Sequence, residues 1–489
     1  MTNCPGPAPD EPRREPRRPD GRGPGLRPAR AEHEWQDSGP VAHSCGVGRP
    51  AAAGLPTGGA PPEQSLKDLK DLMTEAPITP AGTASHAHRA KNGRARHAAI
   101  AWEQARSTAG SVGEPLPAVT RGLAQALGHV LAEPLAALTD LPSFDTSAMD
   151  GWAVAGPGPW KLQGSGVLAG GRPEPLADGT AVLIATGARV PPGASAVLRR
   201  EHGEVMDDGS LHDRGPEPVP ACRDIRPRGE ECRTGEPLLA AGAVITPAVL
   251  GLAAAAGYDR LTVHRRPTVE LLVLGDELLE SGLPGDGRVR DALGPLLPPW
   301  LESCGAEVVN CRRVADDFGL LREAVLHSPA DVVVTTGSTA AGPVDYLHAA
   351  LAEAGARLLV DSVAVRPGHP MLLAELPPAA DGRARRLVGL PGNPLAAVAG
   401  TLTLARPLLR RLGGHPQAPA RLLPAAAPLP GHPRDTRLMP VLAADGAVVP
   451  LPFDGPAMLR GLALAGALAV VPAGGVAQGE SVEVLEIPG

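Results

Sequence analysis

The chain has 489 residues, enough for several domains rather than one core, and 43 % of them are hydrophobic. Its net charge of −7 and its two per cent of aromatic residues argue against a nucleic-acid binder. The 60 glycines and 57 prolines approach the range of disordered sequences, so order is expected only where apolar periodicity returns.

Residues 1–90 carry Pro, Gly, Arg and Ala without helix or strand periodicity and are expected to be a disordered tail. They contain no apolar run of signal-peptide type, the six cysteines form no CxxC pair, and the most apolar stretch, Leu462–Ala473, is too short for a membrane span. These features predict free thiols and a cytoplasmic protein with no membrane or nucleic-acid partner. Helices are predicted over Ala98–Arg106 and Val119–Ala137, the second from the spacing of Leu123, Ala126, Leu127, Val130 and Leu131. From Trp152 to Leu211 short strands and turns alternate, which reads as a small β domain. Thr246–Gly257 is an Ala-rich helix with Thr246 as N-cap and Pro247 in its first turn.

An α/β pattern begins at Thr268. Strands are predicted at Val269–Leu274, Glu307–Cys311, Val332–Val334, Leu358–Val365 and Leu387–Leu390. Helices are predicted at Leu293–Cys304 (interrupted by Pro298 and Pro299), at Leu320–His327, from Tyr346, and over Leu395–Leu412. The strand ends deliver polar loops: Asp276-Glu277, Asp316-Asp317, Gly337-Ser338-Thr339 up to Asp345, and Pro391-Gly392-Asn393-Pro394. In an open parallel sheet such loops share one edge, where ligands bind. Backbone N–H groups of a Gly/Ser/Thr turn suit oxyanions, and clustered carboxylates suit a hard divalent cation or simply cap helices. Beyond Pro416 short strands indicate a separate C-terminal β domain.

Six motifs together resemble the molybdopterin molybdenumtransferases, the insertases that include the E domain of gephyrin. They are Ser143–Val154 (SFDTSAMDGWAV), Ala185–Val197 (ATGARVPPGASAV), Arg226–Glu231 (RPRGEE), Leu274–Leu278 (LGDEL), Gly337–Tyr346 and Leu390–Val398 (LPGNPLAAV). The resemblance implies an L-shaped α/β multidomain subunit. An elongated helical domain would come from 91–145 and 222–267, with a small β domain, 146–221, inserted in it. A three-layer molybdopterin-binding domain with a mostly parallel sheet would span 268–415, and a β-barrel-like domain 416–489.

It further implies a homodimer whose cleft lies between the α/β domain of one subunit and the β domain of the other, with possible contact to other cofactor-biosynthesis proteins. The implied substrates are molybdate and adenylylated molybdopterin, AMP is released, and Mg2+ assists. Catalytic roles would fall to Asp150, Thr186, Glu277, Asp317 and Asp345, and metal binding to Asp276, Glu277 and Asp345. Gly337, Ser338, Thr339, Arg366, His369 and Pro391 to Pro394 would hold the cofactor. Four departures surround this site. Asp291 is followed by Ala292-Leu293 instead of Thr-Asn or Ser-Asn, and the usual Gly-Gly-Val-Ser is Gly337-Ser338-Thr339-Ala340. Lys-Pro-Gly-Lys-Pro becomes Arg366-Pro367-Gly368-His369-Pro370, and Glu231 ends the Arg-Gly-Glu element. They leave an alternative, a paralogue that binds molybdopterin or a partner protein without turnover.

Overall fold

The computed structural model describes residues 99–339 and 346–488. The predicted tail, 1–90, and the proposed ligand Asp345 lie outside the described residues.

Helix α1 (Trp102–Ser111) starts one turn later than expected. The predicted helix over Val119–Ala137 is not one. Strand β1 (Ala118–Gly122) occupies its start, and only Leu123–Ala126 (α2) is helical. Gly128 then takes a left-handed φ of +74°, which ends any helical run. Val130 and Leu131 are buried instead through bridges to Val244 and Val263. Among the described residues, the two segments expected to form an elongated helical domain hold α1, the four-residue α2, a nine-residue helix over Pro247–Ala255 and several short strand pairs.

The small β domain forms a six-stranded sheet. In chain order its strands are β2 (Gly151–Val154), β3 (Trp160–Leu162), β4 (Thr180–Ile184), β5 (Ala196–Arg199), β6 (Gly203–Val205) and β7 (Ser210–Asp213). Their spatial order is β5-β2-β4-β3-β7-β6. Helix α3 (Pro247–Ala255) begins as the sequence predicts: Pro247 sits in its first turn and Val249 N–H donates to Thr246 Oγ1 at 3.3 Å. Strand β8 (Arg260–His264) returns antiparallel to β1.

The α/β sheet contains β9 (Thr268–Leu274), β10 (Glu307–Val314), β11 (Val332–Thr336), β12 (Arg357–Asp361), β14 (Leu372–Leu376) and β15 (Arg385–Leu390). Their order is β10-β9-β11-β15-β14-β12; the first four are mutually parallel, and β14 runs antiparallel to both of its neighbours, β15 and β12. The continuous apolar runs of β9 and β11 follow from burial on both faces. Val269, Leu271, Val273, Val332 and Val334 pack on one face with Trp102, Leu297 and Leu408. Leu272, Leu274 and Val333 pack on the other with Leu321, Leu347 and Leu351. Each such side chain contributes roughly 1.5–3 kcal/mol on leaving water. Helix α4 (Leu293–Ser303) runs unbroken through Pro298 and Pro299, because Leu297, Trp300 and Leu301 anchor it in the core.

Helices α5 (Phe318–His327) and α6 (Leu347–Glu353) cover the second face. Helix α7 (Pro394–Gly400) continues through a π turn, Thr401–Ala405, into Arg406–Leu412.

The predicted strand Leu358–Val365 divides at Ser362, whose φ is +79°. Its last residue belongs to a separate strand, β13 (Val365–Arg366), which leaves this sheet and joins the C-terminal one. That sheet also contains β16 (Arg421–Pro424), β17 (Thr436–Ala444), β18 (Ala447–Pro450), β19 (Ala467–Val471) and β20 (Ser481–Glu486). Its path is β13-β17-β19-β20-β16, with β18 paired to β17. Cys232, Cys304 and Cys311 are free thiols. No described helix is long and apolar enough to cross a membrane.

Candidate functional site

Four parallel strands end side by side. Leu274 registers with Val314, Val273 with Thr336, and Thr336 with Leu390. The loops that follow therefore emerge on one edge: Asp316-Asp317 after β10, Gly275-Asp276-Glu277 after β9, Gly337-Ser338-Thr339 after β11, and Pro391-Gly392-Asn393 after β15. This is the carboxyl edge that the sequence points to.

The acidic residues there have different partners. Asp276 and Asp316 hold each other reciprocally: each backbone N–H donates to the other's carboxylate at 3.3 Å. Asp317 is the N-cap of α5, its Oδ1 accepting from Leu320 N–H at 2.8 Å. Glu277 is exposed, and its carboxylate accepts no hydrogen bond among the described residues. It folds back over Gly275, whose φ of +130° lies in the region that favours glycine.

The central loop is held closely. Gly337 N–H donates to Leu390 O at 2.8 Å, and a Cβ on Gly392 would lie 3.6 Å from Gly337 Cα. Gly337 and Ser338 both adopt left-handed φ, +84° and +51°. For a serine this conformation costs of order 1 kcal/mol and is characteristic of ligand-binding turns. The chain has three phenylalanines and two tyrosines, and one of each flanks this edge. Phe318 and Tyr346 meet edge-to-face with centroids 6.3 Å apart. Sequence reasoning passed over Phe318; its rarity beside Asp317 was the available signal.

Asp150 and Thr186 come together in the β domain, although 36 residues separate them. Asp150 Oδ1 accepts from Thr186 N–H at 2.7 Å and from its hydroxyl at 3.0 Å, and these bonds hold the carboxyl below its usual pKa. No hydrogen bond or ion pair among the described residues links this pair to the acidic edge. Asp145, in the same motif, serves the fold. It accepts from Arg228 N–H at 2.7 Å and so ties the motif to Arg226–Glu231.

Arg366 and His369 are also engaged. Arg366 Nε donates to Asp435 Oδ2 at 2.8 Å. His369 Nδ1 bonds the Val363 carbonyl at 2.8 Å; a carbonyl only accepts, so Nδ1 carries the proton.

The sequence matches three consecutive family descriptions: "MoeA N-terminal region (domain I and II)" over 100–257, "Probable molybdopterin binding domain" over 270–411, and "MoeA C-terminal region (domain IV)" over 423–487. A molybdopterin molybdenumtransferase of Staphylococcus aureus (strain Mu50) is 31 % identical over 393 residues, covering 76 % of this chain and 91 % of that protein. One from Synechococcus elongatus is 32 % identical over 374 residues, covering 73 % and 91 %. A crystal structure of a molybdopterin biosynthesis MoeA protein from Pyrococcus horikosii superposes with a TM-score of 0.64 at 24 % identity, covering 80 % of this chain and all of that one, a likeness of fold. Three family regions in order and relatives matched over nine-tenths of their length place the chain in the molybdopterin molybdenumtransferase family.

Proposed function

We propose that this protein transfers molybdenum to molybdopterin in molybdenum cofactor biosynthesis, taking adenylylated molybdopterin and molybdate and releasing AMP, at the carboxyl edge of the α/β sheet. The observation that carries the reading is the alignment of four parallel strand ends, which gathers a left-handed Gly-Ser turn and the acidic loops onto one edge. Both substrates are anions. The backbone N–H groups of Gly337, Ser338 and Thr339 offer neutral donors to phosphate or oxyanion oxygens. Gly392, packed against Gly337, lets the substrate approach the backbone of both loops.

The same edge carries Asp276, Glu277, Asp316 and Asp317, which repel anions unless a cation lies between them. The donor set suits Mg2+: Glu277 offers an unengaged carboxylate and Asp276 a second oxygen donor. Asp345, outside the described residues, is the third candidate ligand. Among the described residues no group of three or more His, Cys, Asp or Glu forms a complete cage, and magnesium commonly takes one or two carboxylates with substrate phosphates and water. When bound, the ion would neutralise charge on the phosphate as AMP departs. The protein's own part is to bind the phosphate at the 337–339 turn and hold Glu277 beside it. Arg366, half-exposed, would meet molybdate.

In this reading the protein acts in the cytoplasm as a homodimer, and the Asp150–Thr186 pair of one subunit closes the cleft over the edge of the other. Contact with other cofactor-biosynthesis proteins would deliver the adenylylated substrate. No observation favours binding without turnover. The test supplies adenylylated molybdopterin, molybdate and Mg2+ to the purified protein and follows AMP release and cofactor formation together. Metal-dependent release of AMP coupled to cofactor formation is expected. Release without molybdenum incorporation, or none with either metal or substrate in excess, overturns the proposal.

A further inference from the structure

Arg366 sits in the loop between two strands of the α/β sheet, yet the C-terminal domain holds it. Strand β13 pairs in parallel with β17, Val365 against Thr436 and Arg366 against Arg437. Thr436 N–H donates to Ala364 O at 3.1 Å, so the backbone entering the loop is fixed from the C-terminal side. At the other end, Gly368 takes φ +105°, and a Cβ there would lie 3.0 Å from Ala396 O. The loop is thus pressed against α7 while its first residue is stitched to β17.

The side chain is held asymmetrically. Asp435 grips only Nε of Arg366, at 2.8 Å, and the terminal nitrogens Nη1 and Nη2 have no partner among the described residues. A guanidinium is planar, so a grip at Nε sets the plane in which the two terminal N–H groups lie. That open pair matches two oxygens of a tetrahedral oxyanion. The carboxylate is itself well placed, with only 16 % of its side chain exposed. It ends a turn in which His432 Nδ1 accepts backbone N–H groups from Arg434, at 3.3 Å, and Asp435, at 3.0 Å. A nitrogen that accepts these bonds carries no proton. It therefore gives nothing to Asp435 Oδ2 at 3.4 Å, and the carboxylate is left to Arg366.

We propose that Asp435 is a positioning residue for molybdate: from the C-terminal domain it orients the Arg366 guanidinium so that its open edge faces the oxyanion. The inference rests on the reading that the 366–370 loop meets molybdate. A lysine at this place would present a compact charge on a flexible stem and need no such grip, so arginine and Asp435 act as one unit.

A double-mutant cycle on the full chain, with KM for molybdate, KM for adenylylated molybdopterin, kcat and thermal midpoint measured together, tests it. Asp435→Asn is expected to raise the molybdate KM about tenfold, with kcat at saturating molybdate, the other KM and the midpoint little changed. In an Arg366→Lys background the same change is expected to cost less than about twofold, since the planar fork is gone. Asp435→Glu, which keeps the charge, recovers most of the affinity. Should Asp435→Asn fail to fold, Asp435→Ser gives the same reading.

Equal effects of Asp435→Asn in both backgrounds overturn the proposal, as does a joint loss of kcat, both KM values and midpoint. If Arg366→Ala raises the molybdate KM while Asp435→Asn does not, the positioning role fails and the loop's assignment stands. If Arg366→Ala itself leaves that KM unchanged, the assignment of the loop fails first.

Discussion

The two edges of the α/β sheet handle charge in opposite ways. At the amino edge, Asp331 precedes β11 and is 1 % exposed. Its carboxylate accepts two bonds from Arg265, one from Arg383, and the N–H and hydroxyl of Thr268. Burial alone would raise its pKa; the hydrogen bonds from Arg265, Thr268 and Arg383 outweigh it and hold the value at about 2. At the carboxyl edge, Glu277 is exposed and without a partner among the described residues, and Ser338 takes a left-handed conformation. The buried charge of Asp331 supports the fold and is fully paired. The charge of Glu277, in the proposed site, is left open, and some backbone strain is kept beside it at Ser338.

This contrast predicts opposite outcomes for carboxylates at the two ends of neighbouring strands. Asp331→Ala strands Arg265 and Arg383 beside an unsatisfied Thr268 N–H. The expected loss is about 3–5 kcal/mol, read from denaturant unfolding. A loss below about 1 kcal/mol would show the amino-edge network to be ornamental and break the comparison.

Next in size is Glu277→Gln. It removes charge from a side chain that supports nothing, so stability should change by less than about 0.5 kcal/mol. Metal-dependent AMP release should fall about a hundredfold, close to 2.7 kcal/mol in the barrier. Wild-type turnover, or unfolding, would place Glu277 among the structural charges instead.

How far the sequence could reveal these edges depended on locality. Strands β9 and β11 were legible because burial on both faces leaves an unbroken apolar run, and a strand's end marks its own loop. The Thr246 cap of α3 was legible for the same reason, since cap and partner lie three residues apart. The stretch Val119–Ala137 was misread because its apolar spacing fits a helix, while its partners, Val263 and Val244, lie far along the chain. The grip of Asp435 on Arg366 spans 69 residues and two domains, and no local pattern encodes it. Asp150 and Thr186 were each visible in a motif, but their mutual bond was not.

A third prediction sharpens the amino-edge side. His415 follows the helix ending at Leu412 and packs on Gly305, where a Cβ would lie 2.9 Å from its Nε2. Its Nδ1 is buried without a partner among the described residues. Burial first, then the charges of Arg410, Arg266 and His129, push its pKa down to about 4. A lowered pKa means the fold favours the neutral ring. The stabilisation is complete above the unfolded value of about 6.5 and is lost as pH falls through about 4. Unfolding free energy should thus drop by about 2 kcal/mol across that window on account of this group, and His415→Gln should flatten that part of the profile. Identical pH profiles for the two proteins would remove His415 from the set of structural groups.

The smallest effect falls where the two regimes meet. Asp317 lies at the carboxyl edge among the residues assigned to catalysis, yet it caps α5 through Leu320 N–H. Asparagine caps a helix about as well as aspartate but carries no charge. Asp317→Asn should therefore leave stability within a few tenths of a kcal/mol, while Asp317→Ala costs about 1 kcal/mol. If Asp317 acts only as a cap, Asp317→Asn keeps full AMP release, and Asp317→Ala lowers it no more than its lost stability explains. If the charge also serves the substrate or its metal, both variants lose AMP release equally, although only one loses stability. Measuring turnover and unfolding on the pair separates the two roles, because the cap needs an oxygen at that position and the chemistry needs its charge.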